Sequence, residues 1–175
     1  TTNVGQRMIA DLVQQGKDIS EITERMKEAL SQIKHSKSER PVFTAEFLAR
    51  LKRIIVFRPL DGAAMHGICF KLIAELRDAW ALKRGKKLQI PDTLAQALAQ
   101  EAHRQNEKSK GREGGRVVRK LIAEWIEAPM QRAITAQPSD YRACTVVQLE
   151  WEQPEGAAEG TPEKQTLEVR VRFCR

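Results

Sequence analysis

Residues 43–61 read Phe-Thr-Ala-Glu-Phe-Leu-Ala-Arg-Leu-Lys-Arg-Ile-Ile-Val-Phe-Arg-Pro-Leu-Asp, and the character of the chain changes inside them. Residues 43–51 read as a helical turn. Ile54, Ile55, Val56 and Phe57 are consecutive β-formers halted by Pro59, so residues 53–57 are expected to form a buried strand. Asp61 is then a good N-cap for a long helix. A strand that ends where a helical region begins places a boundary near Leu60.

Downstream of that boundary, Met65, Ile68, Cys69, Leu72, Ile73, Leu76 and Trp80 keep helical spacing until Gly85, a natural C-terminal cap. Residues 88–90 suit a short strand, and Pro91-Asp92 opens another helix bearing Leu94, Ala97 and Leu98. Residues 103–120 hold seven Lys or Arg against two Glu, and Gly111, Gly114 and Gly115 interrupt them; a basic loop entering a helix is expected. From Arg116 the apolar spacing continues past Pro129, which should kink or restart the helix, and Pro138 should end it. The tail alternates: Leu167, Val169, Val171 and Phe173 share one face, and Val147, Leu149 and Trp151 pattern alike, so two strands joined by the loop 153–164 follow. Upstream of the boundary, Met8, Ile9, Leu12 and Val13 predict a short helix closed by Gly16. Ile22, Met26, Ala29, Leu30 and Ile33 predict a second over residues 20–36.

The whole is 175 residues with 41% hydrophobic side chains, enough for one domain or for a small domain with part of a neighbour. No apolar run reaches the roughly 20 residues of a membrane span, and no signal peptide is legible, so a cytoplasmic location without membrane partners is expected. Cys69, Cys144 and Cys174 lie far apart without CxxC spacing, which argues against a zinc site or a disulfide framework and for reduced thiols, two of them buried. A net charge of +7 suits an acidic partner of several kinds and selects none. Because the first residue is Thr1, the expectation is a piece of a longer protein.

Motifs for self-sufficient catalysis are missing. The phosphate-cradling pattern GxxxxGK[ST] does not occur: Gly16-Lys17 and Gly85-Lys86 lack both the upstream Gly and the following Ser or Thr. No hydrophobic strand ends in an Asp-Glu pair for magnesium. His35, His66 and His103 fall in separate segments, and Glu124 and Glu127 suit a solvated helix face, so neither a nucleophile triad nor a carboxylate pair is supported.

Distributed segments carry more. Thr1-Thr2-Asn3-Val4-Gly5 resembles the Thr-Ser-Asn-x-Gly end of the fourth strand in Clp/Hsp100 ATPases of the AAA+ class. Residues 43–51 resemble that family's F-x-P-E-F-L-N-R-[IL], and residues 54–60 its IIVFxPL strand. Gly114-Gly115-Arg116-Val117-Val118-Arg119-Lys120 is similar to G-A-R-P-L-K-R, and Ile126-Glu127-Ala128-Pro129-Met130 to I-E-x-P-L. Order and spacing agree over residues 1–134.

The resemblance implies roles. Asn3 would be sensor 1, helping to position the attacking water; read by itself, it is a strand-end turn residue. Arg50 would be the arginine finger, reaching a neighbouring subunit's site to neutralise charge on the transferred phosphoryl group; read by itself, it is a surface arginine. Arg116 would be sensor 2, contacting the nucleotide phosphates. Ile55 and Ile68 would help line the adenine pocket, whereas Ile54 and Val56 suit core packing. The family's aromatic approach Y-D-P-x-Y-G-A-R is replaced by Ser-Lys-Gly-Arg-Glu-Gly-Gly-Arg over residues 109–116, which allows a register shift toward Arg112.

The fold expected is α+β and mostly helical: residues 1–59 as the C-terminal remnant of an AAA+ α/β large domain, residues 60–175 as the helical small domain with a short C-terminal β-sheet. The intact protein is expected to be a homo-hexamer that uses ATP with Mg2+ to unfold, disaggregate or disassemble a protein substrate; a secretion-system relative that dismantles a protein assembly fits the same description. The chain alone should be an inactive monomer with no tightly bound cofactor. The alternatives are a Clp-like scaffold that does not hydrolyse ATP and, ranked below it, a basic nucleic-acid-binding module.

Overall fold

Helix boundaries follow local chemistry closely in the computed structural model, which describes residues 5–35, 38–151 and 169–175. The chain divides into two units, Thr1–Leu60 with Asn106–Gly114, and Asp61–Gln105 with Gly115–Arg175.

In the first unit, α1 (Gln6–Gln14) ends where Gly16 adopts φ 73°. There the Gly16 amide donates to the Val13 carbonyl and the Lys17 amide to that of Leu12. Those paired bonds satisfy carbonyls that the last turn would leave bare. Helix α2 (Ile19–Ser31) starts at Asp18, whose carboxylate accepts from the Glu21 amide at 2.8 Å. That bond, then the Ser20 hydroxyl, holds the Asp18 carboxyl below its ordinary value. Ile22, Met26 and Leu30 are buried as the stripe requires.

Helix α2 stops five residues short of the expected position 36. The chain folds back instead through an antiparallel bridge of Lys34 with Pro41, and the Val42 amide donates to the Ile33 carbonyl at 2.8 Å. A further helical turn would hold Ile33, Lys34, His35 and Ser36, a single apolar residue among polar ones, and so would have gained little apolar burial. Helix α3 (Ala45–Arg50) is capped by Thr44, whose hydroxyl accepts from the Phe47 amide.

The buried strand expected at residues 53–57 is not there. These residues are neither helix nor strand, and Ile55 and Phe57 are 69% and 79% exposed while Ile54 and Val56 are half-buried. A strand exists through its ladder, and none of the described strands lies beside this segment.

In the second unit, Asp61 caps α4 (Gly62–Arg84) by accepting from the Ala64 amide at 2.8 Å, and Gly85 closes it at φ 62°. Strand β1 (Lys87–Gln89) follows, then α5 (Asp92–Lys108), which carries the chain into the first unit at Asn106. Helix α6 (Arg116–Ile122) buries Val117, Val118, Leu121 and Ile122. Past it, Pro129 is accommodated by a widened π turn, Ala123–Glu127, in which the Ala128 amide bonds back to the Ala123 carbonyl, before α7 (Ala128–Ala136). Proline lacks an amide and crowds the carbonyl one turn earlier; the wider turn absorbs both defects.

Pro138 ends that run and also occupies the first position of a short α8 (Pro138–Ala143), which the spacing alone did not predict. Strands β2 (Val146–Trp151) and β3 (Val169–Cys174) are antiparallel, and β1 joins β2 in parallel to give the order β1-β2-β3. The expected alternation holds: Val169, Val171 and Phe173 are half-buried, whereas Arg170 and Arg172 are exposed. Leu167 and the loop 153–164 lie outside the described residues.

The architecture is thus α+β and mostly helical. No helix among the described residues is long and apolar enough to cross a membrane. Cys69, Cys144 and Cys174 are free, the first two buried.

Candidate functional site

Helical spacing puts Ile68, Lys71, Leu72 and Glu75 on one side of α4. Gly115, Arg116 and Arg119, at and after the start of α6, complete a hollow of about 420 Å³ with them. Gly115 comes close to α4: a Cβ on it would stand 3.7 Å from Ile68 Cδ1, so small size here permits approach without being strictly required. Its backbone is ordinary, φ −65°.

The lining is apolar on one wall and cationic on the other. Lys71, Arg116 and Arg119 outnumber the single carboxylate, Glu75, and that carboxylate stands 4.0 Å from Lys71. Both partners of this pair are more than half exposed, so it adds little to stability and leaves the positive field largely in place. Among the described residues no acidic side chain pairs with Arg116 or Arg119. Guanidinium groups in that state suit an anion with several oxygens, phosphate above all.

Of the residues expected to form a site, Ile68 and Arg116 are brought together here. Arg116 is the first, exposed residue of α6, and Ile68 is half-buried on α4. Arg50 is the last residue of α3 and exposed; it and Ile55 belong to the first unit. Asn3 lies outside the described residues. Lys71, Glu75 and Arg119 went unnoticed in the sequence, although Arg119 follows Arg116 by one turn and Lys71 follows Ile68 likewise. Only the packing of α4 against α6 reveals that these two faces meet.

Among the described residues, no three His, Cys, Asp or Glu side chains gather to hold a metal. No family model matches the chain.

Proposed function

We propose that this chain is the C-terminal part of a Clp/Hsp100-type AAA+ ATPase, whose intact form couples ATP hydrolysis to the unfolding or disassembly of a protein substrate. The observation that carries the reading is the joint lining of one hollow by Ile68 and Arg116. These residues are far apart in sequence and were named for related nucleotide-binding roles by the resemblance alone. The chemistry of the hollow agrees with such a ligand: Ile68 and Leu72 offer an apolar wall, and Arg116, Arg119 and Lys71 offer donors to phosphate oxygens.

Within this proposal Arg116 senses the nucleotide in its own subunit, and Arg50 acts on a nucleotide held by the next subunit of a homo-hexamer. The exposure of Arg50 at the end of α3 suits a side chain that reaches across a boundary. The test is ATP turnover by the intact protein. Replacing Arg50 by Ala should lower kcat by about a thousandfold or more while nucleotide affinity is retained, as loss of a trans-acting arginine does elsewhere. Unchanged turnover in that variant would refute the assignment of Arg50.

A further inference from the structure

The chain passes between its two units at Leu60–Asp61, at Gln105–Asn106 and at Gly114–Gly115. Asn106 stands at the second of these and is bonded to the first-unit end of each of the others. Its Nδ2 donates to the Leu60 carbonyl at 3.3 Å, and its Oδ1 accepts from the Gly114 amide at 2.9 Å. The two partners fix which way the amide faces, because a carbonyl can only accept and an N–H only donate. Its backbone carbonyl also accepts from the Gly111 amide at 2.8 Å and from the Ser109 hydroxyl at 2.9 Å.

Asn106 is 2% exposed, and among the described residues it is the buried polar side chain of the structure. Burying an amide is unfavourable unless both of its ends are satisfied. Here both are, and by main-chain groups. The loop it holds needs holding: Lys110, Gly111 and Gly114 all take positive φ, at 52°, 75° and 54°. Gln6 adds a further bond, its side-chain Nε2 donating to the Gly111 carbonyl at 2.8 Å. Gly114 is two residues from Arg116 along the chain, so the loop that Asn106 holds is the one that leads into the arginine's own segment.

We infer that Asn106 is a positioning residue for Arg116, holding residues 109–114 in the one conformation from which Arg116 can answer a bound nucleotide. This rests on the nucleotide-binding reading above. It assigns to a single buried amide the task of fixing a loop in which aromatic side chains are absent.

Asn106→Asp tests it, since the variant matches the shape but turns the donor toward Leu60 into a second acceptor. Trypsin can cut after Lys110 and Arg112 when the loop opens. In the 175-residue chain the variant should be cut there about tenfold faster or more, with helix content by circular dichroism unchanged. Parental cleavage rates would overturn the inference. Should Asn106→Asp unfold, Asn106→Ser is read in its place; it buries no charge and is too short to reach both partners.

In the intact protein, Asn106→Asp should raise the KM for ATP several-fold and add nothing further in an Arg116→Ala background, because both changes disable the same response. Effects that multiply would overturn the inference, since Asn106 would then act by another route. If the parent protein neither binds nor turns over ATP, the nucleotide role of Asn106 falls together with the proposed function. If the parent is an active ATPase and the variant keeps both its KM and its cleavage rate, only the role of Asn106 falls.

Discussion

The ammonium of Lys86 rests 5.0 Å from the centre of the Tyr141 ring while it donates to the carbonyl of Cys144. Tyr141 in turn meets Trp80 edge-on at 6.4 Å and Phe173 at 5.7 Å. One lysine just before β1 thus ties the end of α8 into an aromatic group drawn from α4 and β3. Lys86→Met keeps the aliphatic stem and deletes the charge. It should lower stability by about 2–4 kcal/mol, the combined size of a half-buried cation–π contact and a charge-assisted hydrogen bond. Urea denaturation gives the answer, and a midpoint equal to that of the parent would show the arrangement to be energetically idle.

Two glycines on or beside α4 should respond to alanine with opposite signs. Gly85 has φ 62°, and a Cβ there would meet nothing within 4 Å, so its cost comes from the left-handed backbone alone. Gly85→Ala should destabilise by about 1 kcal/mol. Gly67 lies within the helix, also with open space around it, and Gly67→Ala should stabilise by about 0.5–1 kcal/mol. Thermal unfolding of the pair checks both signs in one experiment.

Burial pushes the Cys69 thiol up from 9.0 to about 11. The folded protein then keeps its proton where an unfolded chain has lost it, so stability should fall as pH rises between about 9 and 11. Cys69→Val, close in size, should remove that part of the pH dependence. Stability curves of parent and variant that stay parallel across this window would contradict the expectation. At pH 8 the folded chain should also leave Cys69 unlabelled by a thiol reagent under conditions that label Cys174, which is only partly buried.

The cationic wall of the hollow gives a prediction that the resemblance does not name. Arg119→Ala should weaken nucleotide binding by the intact protein about tenfold, as Arg116→Ala should, whereas Glu75→Gln should tighten it by removing the one carboxylate. Titration with a fluorescent ADP analogue distinguishes these. Equal affinities across the set would mean that the hollow is not where the phosphates lie.

The exposed β-formers supply the last prediction. At 69% and 79% exposure, Ile55→Ser and Phe57→Ser should each change the stability of this chain by less than about 0.5 kcal/mol. Ile22→Ala, at a site with no exposure, should cost about 2–4 kcal/mol. A large loss from either serine variant would show that residues 53–57 are packed more firmly than their exposure indicates.

That contrast explains what could be read before any coordinates. Helices α1, α4 and α5 were legible because their signals are local: Asp61 caps its own helix, and Gly16 and Gly85 close theirs through their own dihedral angles. Residues 53–57 were misread because strand formation depends on a neighbour that residue types do not disclose. The overrun of α2 has a similar origin, since the bridge from Lys34 to Pro41 competes with helix only once the chain has turned back. Within the hollow, Ile68 and Arg116 were reached through resemblance, while Lys71 and Arg119 needed the packing of α4 on α6. Asn106 was hidden for a different reason. An asparagine near the end of a helix looks like ordinary surface until the carbonyl of Leu60 and the amide of Gly114 are seen on either side of it.

The bonds of Asn106 also govern how the molecule can be dissected. A recombinant product beginning at Asp61 would retain residues 106–114 but lose the Leu60 carbonyl and the Gln6 amide that complete their hydrogen bonding. One ending at Leu60 would keep those two groups and discard the segment they serve. Neither cut follows a seam, so the two units are better studied by substitution within the whole chain than by expressing halves.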